Sequence, residues 1–128
     1  MEGIPNVQAG KIQSFTDLVA WREAHALSIA VYKMTKKFPK EELYGLVNQL
    51  RRASLSVSSN IAEGFSKRSQ KEKIQFYSIA LSSLREVQSQ LLYARDVGLL
   101  TGEDFVPLTE RAILVSKLLN GLIKKLSP

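Results

Sequence analysis

The feature that most constrains this chain is a three-four apolar rhythm running through four separate segments, each halted by a residue that ends helices. Ala20, Ala24, Leu27, Val31, Met34 and Phe38 carry it first, with Leu18, Trp21, His25, Ile29 and Tyr32 in a second stripe beside them. Pro39 halts that segment and suits the first turn of the next, where Glu41 and Glu42 meet the positive end of the new helix dipole. Leu43, Leu46, Leu50, Ala53, Val57 and Asn60 continue the rhythm, flanked by Val47, Ser54 and Ile61, up to Gly64 as the expected C-cap. Behind the capping box Ser69-Gln-Lys-Glu72, Ile74, Tyr77, Leu81, Leu84, Gln88 and Leu91 share a face, with Phe76, Ala80, Ser83, Val87 and Ala94 beside it. Gly98 ends that run. Thr101-Gly-Glu-Asp104 caps the last one, in which Phe105, Leu108, Ala112, Val115, Leu119, Leu122 and Leu126 repeat and Pro107 is expected in the first turn.

The spacing therefore predicts helices over about 17–38, 40–64, 69–97 and 102–126, behind a flexible lead over 1–14, with Ser14 and Asp17 supplying the first cap. Short linkers between long helices force sequential neighbours to run antiparallel. The expected fold class is all-α: a single up-down-up-down four-helix bundle spanning 1–128. A chain of 128 residues, 45% of them hydrophobic, suffices for one core and is short for two. The start lacks the basic and apolar regions of a secretory signal, and no stretch approaches the roughly 18 apolar residues of a membrane span. With no cysteine to form disulfides, a reducing, cytoplasmic setting and no membrane association are the expectation.

Chemistry-bearing motifs are scarce. A di-iron bundle needs Glu-x-x-His pairs on two helices, whereas this chain has one histidine, His25, with Arg22 at that spacing. Thiolate sites are excluded by composition, and Gly64-Phe-Ser-Lys67 is neither a Walker loop nor a dinucleotide fingerprint. No cofactor, metal or catalytic residue is expected; His25 reads as structural, and the chain as no enzyme.

Charge is more informative. Eighteen Lys plus Arg against twelve Asp plus Glu leave a formal charge of +6, which points to an anionic partner, nucleic acid first. Arg51, Arg52, Lys67, Arg68, Lys71 and Lys73 face only Glu63 and Glu72 in the densest basic segment, around the second loop and the start of the third helix. Lys33, Lys36, Lys37 and Lys40 cluster at the first loop, and Arg111, Lys117, Lys124 and Lys125 meet no acid after Glu110. A polar seam interrupts the apolar stripes: Gln49, Arg52, Ser56, Asn60 and Glu63 on the second helix, Glu86 and Gln90 on the third. If the seam faces inward or a partner, an Arg52 contact to Glu86 or Glu63 would satisfy it; otherwise it is a solvated edge.

Phe15-x-x-Leu18-x-x-Trp21, Thr35-x-x-Phe38-Pro39, Tyr44-Gly45-Leu46-x-x-Gln49-x-Arg51-Arg52-Ala53 and Asn60-Ile61-Ala62-Glu63-Gly64 together resemble the bacterial four-helix-bundle family encoded by intervening sequences within 23S ribosomal RNA genes. Phe76-Tyr77-x-Ile79-Ala80, Ser83-x-x-Glu86 and Gln90-Leu91 extend the likeness from about Phe15 to Leu126. The resemblance implies a homopentameric ring with basic surfaces. It also implies a fold similar to the accessory protein of diversity-generating retroelements, which partners a reverse transcriptase and binds nucleic acid.

Charge and resemblance lead to one expectation, a non-enzymatic oligomer that binds RNA or an RNA–DNA hybrid through phosphates, as an accessory to a reverse transcriptase or ribonucleoprotein. Arg51, Lys67, Arg68, Lys71 and Lys73 are the expected phosphate contacts, with Lys117, Lys124 and Lys125 as a second set. The competing expectation is a scaffolding module that recognises another protein through its surplus apolar face and polar seam.

Overall fold

The computed structural model describes residues 11–128, and among these lie four α-helices and no strand: α1 (Val19–Thr35), α2 (Asn48–Ser66), α3 (Gln70–Asp96) and α4 (Gly102–Leu126). Residues 1–10 of the expected flexible lead lie outside the described residues. α1 packs on α2 and α4, and α3 packs on the same two helices from the other side. One core results. Leu27, Leu50, Ile61, Leu84, Leu91 and Leu119 are fully buried in it, each stabilising the fold by about 1.5–3 kcal/mol relative to exposure.

The first stripe read from α1 is the buried one, from Ala20 through Leu27 and Val31 to Phe38, and Leu108, Ala112, Val115 and Leu119 are its counterpart on α4. On α3 the buried row is Tyr77, Ala80, Leu84, Val87, Leu91 and Ala94, so Ile74, Leu81 and Gln88 of the expected face are only half-buried. Four hydroxyls also enter the core, and none is left alone. Thr35, Ser54 and Ser58 donate to the carbonyls of Val31, Arg51 and Leu55 at 2.7, 3.2 and 3.2 Å, and Ser83 pairs with Ser56 at 2.8 Å.

The ends of the helices differ from expectation in instructive ways. Ser14 and Asp17 do form a capping box, but it serves a separate 3-10 turn, Phe15–Asp17, and extended Leu18 delays α1 to Val19. Pro39 leads into a 3-10 turn, Lys40–Glu42, and then a wide turn, Leu43–Val47, in which Gly45 leaves helical geometry at φ −113°, ψ −105°. Regular α2 starts only at Asn48, and Leu43, expected in the core stripe, is left exposed. Pro107 lies in the second turn of α4, where its missing N–H deprives the Glu103 carbonyl of its usual helical donor.

Two glycines play opposite roles. Gly98 does end α3: its φ of +84° is left-handed, and Leu99 and Gly98 donate to the carbonyls of Ala94 and Arg95 at 2.9 and 3.1 Å, the paired bonds of a Schellman turn. Gly64 is not a C-cap. α2 continues past it to Ser66, and a Cβ on Gly64 would stand 2.8 Å from Tyr77 Cε1 and 3.0 Å from Phe76 Cβ. Its missing side chain is what lets α3 approach α2.

Candidate nucleic-acid interface

The basic residues around the turn from α2 to α3 divide into tethered and free. Lys67 closes α2 as its C-cap, with Nζ 3.2 Å from Glu63 Oε2 and 4.9 Å from the Phe76 ring centre. Lys73 Nζ donates to the Phe65 carbonyl at 2.7 Å and lies 5.3 Å from that residue's ring centre. Both lysines thus brace the turn by hydrogen bond or ion pair and by cation–π contact. Arg68 and Lys71 flank the start of α3, exposed and without an ion-pair partner among the described residues. Ser69 Oγ accepts the Glu72 N–H at 3.1 Å and so caps α3 as expected.

Lys117, Lys124 and Lys125 are exposed on α4, again without an ion-pair partner among the described residues. Arg51 stands apart from all of these. Sixteen residues of α2 separate it from Lys67, about 24 Å of helix. It is half-buried against α1: Nε donates to Thr35 Oγ1 at 2.9 Å, Nη2 donates to the Tyr32 carbonyl at 3.3 Å, and the guanidinium lies 4.1 Å from the Tyr32 ring centre. This geometry makes Arg51 a brace between α1 and α2, and the signal that would have revealed it, Thr35 at the end of α1, is weak in sequence.

The polar seam lines one side of α2 and the facing side of α3. Gln49, Arg52, Ser56, Glu86 and Gln90 surround a groove of about 350 Å³. Asn60 Nδ2 donates to the carbonyl and Oγ of Ser56 at 2.8 and 3.0 Å, which ties this side of α2 together. The Arg52 contact to Glu86 or Glu63 does not form: Glu63 pairs with Lys67, and Arg52 and Glu86 stay exposed without ion pairs among the described residues. Gln90 Oε1 is buried with no donor opposite it. An acceptor so placed is expensive to leave unmade.

On the other side of α2, between it and α1, lies a larger and more apolar groove of about 470 Å³, floored by Ile29, Tyr32 and Leu55 and edged by Lys33, Arg51 and Arg52. The exposed second stripe of α1 supplies this floor. At its end His25 stacks on Trp21 with ring centres 4.6 Å apart and an interplanar angle of 13°. Among the described residues no group of three or more His, Cys, Asp or Glu side chains is arranged to hold a metal ion, and no helix is long and apolar enough to cross a membrane.

Residues 16–121 match the family model described as 23S rRNA-intervening sequence protein. The chain belongs to this family. Within the matched span fall the whole polar seam and Arg51, Lys67, Arg68, Lys71, Lys73 and Lys117, whereas Lys124 and Lys125 lie beyond it. Among solved structures, the chain is similar to a Bacteroides thetaiotaomicron protein described as of unknown function from the S23 ribosomal protein family. The TM-score is 0.75 at 21% identity, over 83% of this chain and 99% of that one. This likeness shows the fold. No curated protein matches the chain.

Proposed function

We propose that this chain is a non-enzymatic, oligomeric nucleic-acid-binding protein, an up-down-up-down four-helix bundle that grips the phosphates of RNA or an RNA–DNA hybrid with one basic end. The topology is supported by contacts whose residue numbers rise on one helix and fall on the next. Ser56 meets Ser83 and Gly64 faces Tyr77 between α2 and α3; Arg95 lies over Phe105 and Arg85 bonds Ser116 between α3 and α4; Glu23 pairs with Arg111 and Lys37 with Asp104 between α1 and α4.

The observation that carries the reading follows from that course. From the Arg85–Ser116 contact, Lys73 lies about twelve residues down α3 and Lys124 and Lys125 about eight and nine residues up α4, so both sets lie toward the same end of the bundle. In this reading two basic sets distant in sequence share one end of the bundle, Lys67, Arg68, Lys71, Lys73, Lys124 and Lys125 against Glu63 and Glu72. The free N–H groups at the start of α3 add to its pull on anions. Arg51 drops out of the contact set because α1 holds it, and Lys117 sits two turns back along α4 from Lys124 as an outer contact.

An oligomer, the pentameric ring implied by the family resemblance, would set several such ends side by side. Partnership with a reverse transcriptase or another ribonucleoprotein is consistent with a phosphate-gripping accessory protein. Titrating fluorescent RNA and duplex DNA across salt tests the reading: affinity must fall steeply as salt rises, and no binding at low salt ends it. The apolar α1–α2 groove favours a second reading, a protein-interaction module without nucleic acid. A partner retained in pull-down after nuclease treatment, together with no RNA binding, would select it.

A further inference from the structure

The turn ahead of α2 carries a feature that neither the core nor the basic end uses. Tyr44, within the Tyr44-Gly45-Leu46 motif, is 91% exposed, and Leu43 beside it is 44% exposed. The geometry of Gly45 shifts the chain so that Leu46 and Val47 turn inward and Tyr44 outward. Glu41 and Glu42 precede this apolar pair and make no ion pair among the described residues. The result is a protruding knob, acidic at its base and aromatic at its tip.

The α1–α2 groove has the opposite character. Ile29, Tyr32 and Leu55 on its floor are 42%, 49% and 58% exposed, its edge bears Lys33, Arg51 and Arg52, and no carboxylate among the described residues lines it. Its volume of about 470 Å³ is ample for a tyrosine and a leucine side chain. A chain cannot seat its own knob there: Tyr44 and Arg52 are joined through the start of the same α2, which holds the two features side by side.

We propose that Leu43 and Tyr44 of one copy seat in the α1–α2 groove of a second copy, with Glu41 and Glu42 set against Lys33 and Arg52. Knob and groove are different surfaces of one subunit, so the contact is head-to-tail and repeats from copy to copy until a ring closes. The inference rests on the oligomeric reading above and names the surfaces that build it. Tyrosine suits the role, since it buries a large area for little loss of side-chain freedom.

Head-to-tail contacts allow a decisive test with the full chain. Tyr44→Glu spoils the knob and leaves the groove; Leu55→Glu spoils the groove and leaves the knob. Sedimentation equilibrium should find the unmodified protein oligomeric, each variant monomeric, and their equimolar mixture a dimer held by the one intact knob and groove. Both positions are exposed, and circular dichroism confirms folding. Should either variant misfold, Glu42→Lys and Arg52→Glu take their place, each weakening association at least about tenfold and the double variant recovering it. An oligomer untouched by these changes, or a mixture that stays monomeric, overturns the knob and groove while the oligomeric reading stands. An unmodified protein that is itself monomeric overturns both.

Discussion

Gly64→Ala and Gly121→Ala are the same chemical change with opposite expected outcomes, and the difference is set by what stands in front of each glycine. Both lie inside helices, where alanine is favoured over glycine by about 1 kcal/mol. Around Gly121, exposed on α4, a new Cβ meets nothing within 4 Å, so that gain is realised and the variant should be more stable by about 0.5–1 kcal/mol. Around Gly64, the Cβ would lie 2.8 and 3.0 Å from Tyr77 Cε1 and Cδ1 and 3.0 Å from Phe76 Cβ, well inside the roughly 3.5–4.0 Å of ordinary carbon contact. The Tyr77 ring is only 3% exposed and Phe76 Cβ is anchored to the backbone, so neither can swing away and α2 must move off α3. Such overpacking costs about 1–3 kcal/mol, which cancels or exceeds the helix gain and leaves Gly64→Ala less stable by up to about 2 kcal/mol. Urea denaturation followed by circular dichroism at one fixed protein concentration measures both. Equal stabilisation of the two variants would refute the tight α2–α3 approach at Gly64.

Burial raises the Tyr77 phenol above its ordinary 10.0, so the folded state keeps a proton that the unfolded state gives up. Stability should therefore be unaffected by this group below pH 10.0 and fall as pH rises beyond it, less steeply in Tyr77→Phe; equal alkaline slopes by thermal melts would count against the burial effect. Replacing Arg68 or Lys71 by Gln should shrink the slope of log affinity against log salt by about 0.7–0.9 each in RNA titrations. Arg51→Gln should leave that slope unchanged and instead lower the melting temperature, because its guanidinium braces α1 against α2. Tyr44→Glu should weaken binding to long RNA far more than to a short oligonucleotide, since only a long strand can bridge several basic ends.

How much of this was legible in the chain depends on how local each signal is. The buried rows of α1 and α4, the Ser69 and Thr101 caps and the Gly98 stop were all readable, because periodicity and capping act within a turn or two of sequence. Gly64 was misread for the complementary reason: a glycine near a helix end looks like a stop, and only the position of Tyr77, thirteen residues on, turns it into a packing site. Arg51 was grouped with phosphate contacts by charge alone, whereas its fate is decided by Thr35 on the preceding helix. Of the seam, Gln49, Arg52, Ser56, Glu86 and Gln90 line one groove while Asn60 and Glu63 do not, and the ion pair an inward seam would need does not form, since Lys67 one turn away from Glu63 is the nearer partner.

The charge and the surplus apolar surface of this chain are segregated, and that separation is what makes the functional reading testable. The cations without partners in the α2–α3 turn and on α4 sit far along the helices from the knob at Tyr44 and the groove between α1 and α2. Had Lys33, Arg51 and Arg52 been phosphate contacts as well, every variant that weakened association would also have removed charge from the binding surface, and the two effects could not be told apart. Arg51 is committed to Tyr32 and Thr35, and in the proposed assembly the edge of the groove meets Glu41 and Glu42 of a second copy, so neither belongs to the proposed phosphate-binding end. In the proposed assembly, association would multiply a binding surface it does not consume, so a subunit with weak affinity of its own would become effective only when several are held together.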